Sequence, residues 1–193
     1  MSWQLIGLAD VLPTPWRNGG GVTRELVAWP NAQDWDWRIS VAEVASGGPF
    51  SRFEGVRRWL AILAGAGVRL DFLTSSVELT PKSPPLAFHG TDPVDCSLLD
   101  GAVSDLNLML REGSPAGRTA LMQQIAGITR AELGDATTVA LYNLAAPGVL
   151  RVDGESLTLP GATLAWRSFE VGVRVDIEAD CAVWMAWPSG GHR

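Results

Sequence analysis

Short runs of apolar and β-branched residues, each closed by Gly, Pro, Asp or Asn, recur along the whole chain, and that pattern confines it to an all-β architecture of many brief strands. In the first half the runs are Trp3–Leu8, Val22–Trp29, Trp35–Val44, Trp59–Leu63, Val68–Leu73, Val77–Leu79, Leu86–Phe88, Val94–Leu99 and Ser104–Leu110. In the second they are Thr138–Leu144, Val149–Val152, Glu155–Leu159, Ala162–Trp166, Val171–Ile177 and Cys181–Trp187. Asp100-Gly101 and Asp153-Gly154 each predict a hairpin, because that dipeptide tolerates the positive φ angles of a tight turn. The segment 118–133 reads either as a helix or as a further pair of strands, since its periodicity fits neither alone.

The order apolar strand, Gly turn, strand, Pro, apolar-aromatic strand occurs twice, in Trp59–Phe88 and again in Gly148–Trp166. Each run resembles the central hairpin of cupins, which implies two tandem cupin-like jelly-roll β-barrels in one chain. The expected division is 1–112 for the first barrel, carrying a ligand pocket, and 119–193 for the second, with exchange of strands between them allowed for. Arg111–Ala120 is the expected join.

Of 193 residues, 47% are hydrophobic and 19% charged, enough for a sizeable core and unlike a disordered chain. A formal net charge of −6 disfavours nucleic acid phosphates and anionic membrane surfaces as partners. No apolar run reaches bilayer length and the N-terminus lacks the pattern of a signal peptide, so a cytoplasmic protein is expected. Lys82 is the only lysine among fifteen basic residues. Arginine offers the planar fork that grips a carboxylate, although coding composition also produces such a bias.

No cofactor is indicated. The two histidines, His89 and His192, form no ligand cluster, so a transition-metal site is not expected. Neither Cys96 nor Cys181 lies in a nucleophile motif, and no Gly-x-Ser-x-Gly elbow occurs. His89 with Asp92 or Asp95 is the remaining acid–base pair to test. The run Gly19-Gly20-Gly21 leads into a β-branched stretch rather than a helix, which suits a close-packed start to a strand better than a phosphate cradle. Within Trp35–Val44, Arg38, Ser40 and Ala42 share one face; within Ser104–Leu110, Asp105, Asn107 and Met109 do. Such a face is wet in an ordinary antiparallel sheet and points inward in a ligand-holding barrel.

Together, Trp16-Arg-Asn-Gly-Gly-Gly-Val-Thr-Arg-Glu25, Asp36-Trp-Arg-Ile-Ser-Val-Ala-Glu43, Gly48-Pro-Phe-Ser-Arg-Phe-Glu-Gly-Val-Arg-Arg58, Phe88-x-Gly90 and Asp105-Leu-Asn-Leu-Met109 resemble the HutD/Ves family. The resemblance implies a bicupin fold and a pocket for a small pathway acid such as formylglutamate or urocanate. It further implies a regulatory or binding accessory of histidine utilisation, whereas Ves-type relatives are tied to stress responses. Carried onto this chain, it makes Trp16 and Phe50 apolar walls and has Asn18 with the Gly19 and Gly20 amides donating hydrogen bonds. Arg38 and Arg58 grip a carboxylate above a polar floor of Ser40, Asp105 and Asn107. The alternative for each arginine is a permanent pairing with Glu43 or Asp105. Two positions depart from the family pattern: Glu54 replaces the usual Pro, and Leu106 a common Phe.

The expected function is therefore a non-catalytic binding protein with a small carboxylate as partner and no catalytic or metal-binding residues. A metal-free isomerase or hydrolase, and an interaction protein with a vestigial pocket, are the alternatives. A homodimer is the expected assembly.

Overall fold

The computed structural model describes residues 2–113, 120–145 and 147–189. Among these the chain is all-β, apart from a 3-10 turn at Leu8–Asp10, and no helix is long and apolar enough to cross a membrane. It divides into two compact units: Val11–Gly113, and the described part of Met1–Asp10 with that of Ser114–Arg193. The first strand, β1 (Gln4–Gly7), therefore belongs with the C-terminal half and not with residues 11–112. Its partner there is Thr163–Phe169. Most of the expected join, together with His192, lies outside the described residues.

In the front unit the strands are β2 (Thr14–Pro15), β3 (Gly21–Trp29), β4 (Trp37–Val44), β5 (Gly48–Pro49), β6 (Val56–Ala64), β7 (Val68–Asp71), β8 (Ser76–Leu79), β9 (Leu86–His89), β10 (Asp95–Leu98) and β11 (Val103–Arg111). They form a six-stranded sheet ordered β2-β3-β4-β11-β6-β9 and a four-stranded sheet ordered β5-β10-β7-β8. Ala42, Leu60, Ile62 and Phe88 from the first sheet join Val68, Leu70, Leu79 and Cys96 from the second in one apolar cluster. The sheets thus face each other across a shared core. The reverse side of the six-stranded sheet is buried too: Ile39, Leu106, Leu108 and Leu110 are each 0% exposed. That is why its central strands read as nearly continuous apolar runs.

Gly21 opens β3 because nothing larger fits. A Cβ built there would lie 2.4 Å from the Glu43 carbonyl oxygen and 3.2 Å from the Trp16 ring. One contact is backbone and cannot swing aside. Gly21→Ala is expected to destabilise the protein by about 2 kcal/mol, read as a lower midpoint in urea unfolding. An unchanged midpoint would show that the β3–β4 pairing yields at no cost.

The other unit adds β12 (Leu121–Glu132), β13 (Thr137–Asn143), β14 (Gly148–Val152), β15 (Glu155–Leu159), β16 (Thr163–Phe169) and β17 (Arg174–Pro188). Its seven-stranded sheet runs β1-β16-β13-β17-β14-β15, with β12 also paired to β17. Two expected strands, Val171–Ile177 from Arg174 onward and the whole of Cys181–Trp187, are parts of this single β17. The acidic stretch that divides them in sequence does not break the strand, because Glu178 faces solvent while Ala179 stays in the core. The ambiguous segment resolves, over its described residues, into one strand with a register shift between Ile125 and Gly127.

The two Asp-Gly turns behave differently. Asp153 and Gly154 both take positive φ, 51° and 82°, and close a two-residue hairpin in which Val152 opposes Glu155. Asp100-Gly101 makes no hairpin, since β10 and β11 lie in different sheets. The dipeptide sets the local bend; burial of the strands on both sides decides where the chain goes next.

Candidate functional site

Three strands of the six-stranded sheet bring the polar residues together by register. Arg38 of β4 lies opposite Met109 of β11, which lies opposite Arg58 of β6, itself opposite Phe88 of β9. One step along, Ser40 opposes Asn107, and one further, Ala42 opposes Asp105. Because side chains alternate across a strand, these rows all present to the same side as the core residues Ala42, Leu60 and Phe88. There they line a cavity of about 700 Å³. The polar faces of the two sequence segments therefore point inward.

At the floor, Arg58 Nη2 donates to Asn107 Oδ1 at 3.0 Å, and Asn107 Nδ2 donates to Asp105 Oδ1 at 2.5 Å. All three residues are buried, Arg58 to 6% exposure. Its guanidinium lies 5.1, 5.6 and 5.0 Å from the rings of Phe50, Phe53 and Phe88. Nη1 reaches the Ser51 carbonyl only at 3.4 Å, and Nε has no acceptor among the described residues. Burial brings the Arg58 pKa down to about 10; Asp105 opposes that fall and Arg38 adds to it. Burial likewise raises the Asp105 carboxyl to about 7, against the pull of Arg58 and Asn107. In both groups desolvation outweighs mutual attraction, so the pair is under-compensated.

Arg38 stands nearer the rim. It pairs with Glu25 at 3.5 Å, while Glu43 pairs with Arg24, so neither Glu43 nor Asp105 is its ion-pair partner. Its guanidinium is 5.6 Å from both the Trp35 and Phe53 rings, its Nε lacks an acceptor among the described residues, and burial lowers its pKa against the influence of Glu25. Trp16 forms a wall, held by a 2.7 Å bond from its indole Nε1 to Thr23 Oγ1. The loop bearing Phe50 and Phe53 is tied down by bonds from their amides to the carbonyls of Val94 and Gly90.

Of the residues singled out in sequence, Trp16, Asn18, Arg38, Ser40, Phe50, Arg58, Asp105 and Asn107 line this cavity. Gly19 and Gly20 do not. Their amides are spent inside the turn, Gly19 N donating to the Trp16 carbonyl and Gly20 N to Asn18 Oδ1. They shape the loop and have no amide left for a guest. Arg17, Thr23, Phe53 and Met109 also line the cavity, none of them among the ligand contacts expected from the sequence. Met109 was accessible from strand parity with Asp105 and Asn107, and Phe53 from its spacing to Phe50.

His89 takes no part. Its ring contacts Glu112 at 2.7 Å and Arg57 at 3.0 Å, its backbone amide uses Asp92, and it lies outside the cavity. The expected pairing of its ring with Asp92 or Asp95 is not formed, because its place at the end of β9 turns it toward solvent. Among the described residues no three His, Cys, Asp or Glu side chains converge as metal ligands. Cys96 is buried, and burial together with Asp105 and Asp95 pushes its pKa up to about 12, which keeps it a thiol.

The model of the HutD family matches residues 8–185. The chain belongs to the HutD family. This HutD-family chain is 35% identical over 146 residues to an uncharacterized 21.2 kDa protein in the hutC 3' region of Pseudomonas putida, covering 72% of each. It is 40% identical over 98 residues to protein Ves of Citrobacter koseri, spanning 50% of this chain and 51% of that protein. Among solved structures, HutD from Pseudomonas fluorescens SBW25 in a formate condition superposes with a TM-score of 0.83 at 26% identity, over 98% of this chain and 100% of that one. Oxalate decarboxylase of Lactobacillus farciminis, in a formate complex, shares the fold alone, with a TM-score of 0.67 at 9% identity over 98% of this chain and 87% of that one. This HutD-family chain is thus all-β with cupin-like structural neighbours.

Proposed function

We propose that this HutD-family protein is a cytoplasmic accessory of histidine utilisation that binds a small carboxylate metabolite, formylglutamate or urocanate, and moderates the pathway. In this reading each compact unit is one cupin-like barrel of a tandem pair, and the front barrel holds the ligand. The observation that carries it is the imbalance of charge in the front cavity: Arg17, Arg38 and Arg58 line it against a single acid, Asp105, whose carboxyl titrates near neutrality. A carboxylate guest would supply the missing acceptors for the guanidinium forks in a site walled by aromatic rings. The relative in the hutC 3' region supports the pathway assignment.

The test is thermal unfolding of the full chain with a panel of acids from the pathway. A ligand that binds only the folded state adds about 2.7 kcal/mol at a hundredfold excess over Kd, so formylglutamate or urocanate should raise the Tm by several degrees. A flat response across the panel would remove the ligand from the proposal.

A further inference from the structure

The C-terminal unit holds a second cavity, of about 680 Å³, which the function above does not use. Its walls come from opposite ends of one sheet: Trp3 and Leu5 from the β1 side, and Glu155, Ser156 and Leu157 from β15. The sheet therefore curls until its two edges border the same space. Arg167 of β16 faces into it, on the side of the strand that Ala165 and Phe169 give to the core. Its guanidinium lies 4.5 Å from the Phe169 ring, which meets Trp3 edge-on at 6.1 Å. Arg130, Arg151 and Arg174, on the outside of this unit, each pair with an acid. Arg167 does not: among the described residues it forms no ion pair, and its buried Nε has no acceptor. A half-buried guanidinium costs free energy unless something compensates it, and here an aromatic face is all the described residues offer.

We propose that this cavity is a second binding site, for a small monocarboxylate with an apolar body. The carboxylate engages the fork of Arg167, and the body lies against Trp3, Leu5, Leu150 and Leu157. Glu155 at the lip sets the charge limit: its carboxylate already offsets the charge of the Arg167 guanidinium, so a second negative charge on the guest meets no further cation in the lining. The front cavity, with three arginines to one acid, has the opposite balance.

Phenylacetate and phenylmalonate, which share a ring but carry one and two carboxylates, are the probes. Titration of the full chain is followed by the NMR signal of the Trp3 indole N–H, which reports this cavity alone. Phenylacetate should shift it saturably, and Arg167→Met should weaken binding about tenfold or more, the loss typical of a charge-assisted contact. Arg58→Met should leave the titration unchanged. Phenylmalonate should bind more weakly and recover in Glu155→Gln. Ser156→Trp, at the exposed rim, should block the site without endangering the fold and decides the matter if Arg167→Met does not fold. The site is overturned by an unresponsive Trp3, by binding that survives Arg167→Met or Ser156→Trp, or by binding that Arg58→Met abolishes. Equal affinity for the two probes would overturn the role of Glu155 and the restriction to monocarboxylates.

Discussion

Arg58→Met should abolish binding of the pathway acid in the front cavity, by about a hundredfold or more, and leave the protein folded. The two halves of that expectation have separate causes. Binding is lost because Arg58 is the deepest cation of the site, with Nε unpartnered and Nη1 only weakly engaged, so a carboxylate there gains bonds that nothing else satisfies. The fold persists because methionine replaces the aliphatic stem between Phe50, Phe53 and Phe88, and removing a desolvated charge in favour of apolar volume is often close to neutral. Asn107 Oδ1 loses its donor, a cost of about 1–3 kcal/mol. Asp105 loses its counter-charge and responds by keeping its proton. Calorimetric titration beside urea unfolding separates the outcomes. Undiminished affinity in a folded Arg58→Met protein would mean that the acid binds elsewhere.

Much of this site was legible in the sequence through one property, the alternation of side chains along β4 and β11. Arg38, Ser40, Asp105 and Asn107 were placed on two common faces from spacing alone, and both faces line the cavity. What spacing could not say was which way those faces point, because a wet face and a ligand-lining face carry the same residues. The apolar neighbours on the same face decide it: Ala42, Leu60 and Phe88 pack against Val68 and Leu70 of the other sheet, so the polar face borders the inter-sheet space rather than the outside.

The glycines show a different limit. A glycine run signals backbone exposure, and Gly19 and Gly20 were accordingly expected to offer amides. The same freedom let the turn fold on itself and consume them. Strand ends were missed where composition and topology disagree. The acidic stretch within β17 reads as a loop, yet Ala179 keeps the inward alternation and β12 stays paired with β17 on both sides of a register shift there, so the strand continues through it. The exchange of β1 into the C-terminal unit left no local signal, because Gln4–Gly7 forms the same ladder whichever sheet receives it.

Asp105 provides the sharpest test of the electrostatics, through pH. Its folded-state pKa is about 7 against an ordinary 3.8, so the native protein keeps a proton that the unfolded chain releases. The associated stability is full below the ordinary value, is lost as pH rises through the folded one, and changes no further above it. Within that window the loss approaches about 1.4 kcal/mol per pH unit. Asp71 and Asp176, held low by their arginine and serine neighbours, give the opposite slope at acid pH. The comparison is therefore wild type against Asp105→Asn, which keeps the shape and an acceptor for Asn107 but cannot titrate. Unfolding followed from pH 5 to 8 should show wild-type stability falling more steeply than that of the variant, the two curves running parallel beyond the titration. Ligand affinity should follow the same proton. With Asp105 neutral Arg58 has no counter-charge, while Arg38 keeps Glu25, so an acid that stays ionised should bind about tenfold more weakly at pH 8 than at pH 6, and Asp105→Asn should flatten that profile at the tighter level. Parallel pH profiles for the two proteins would mean that Asp105 is already ionised in the fold, and that Arg58 holds its carboxylate far more firmly than the burial of the pair allows.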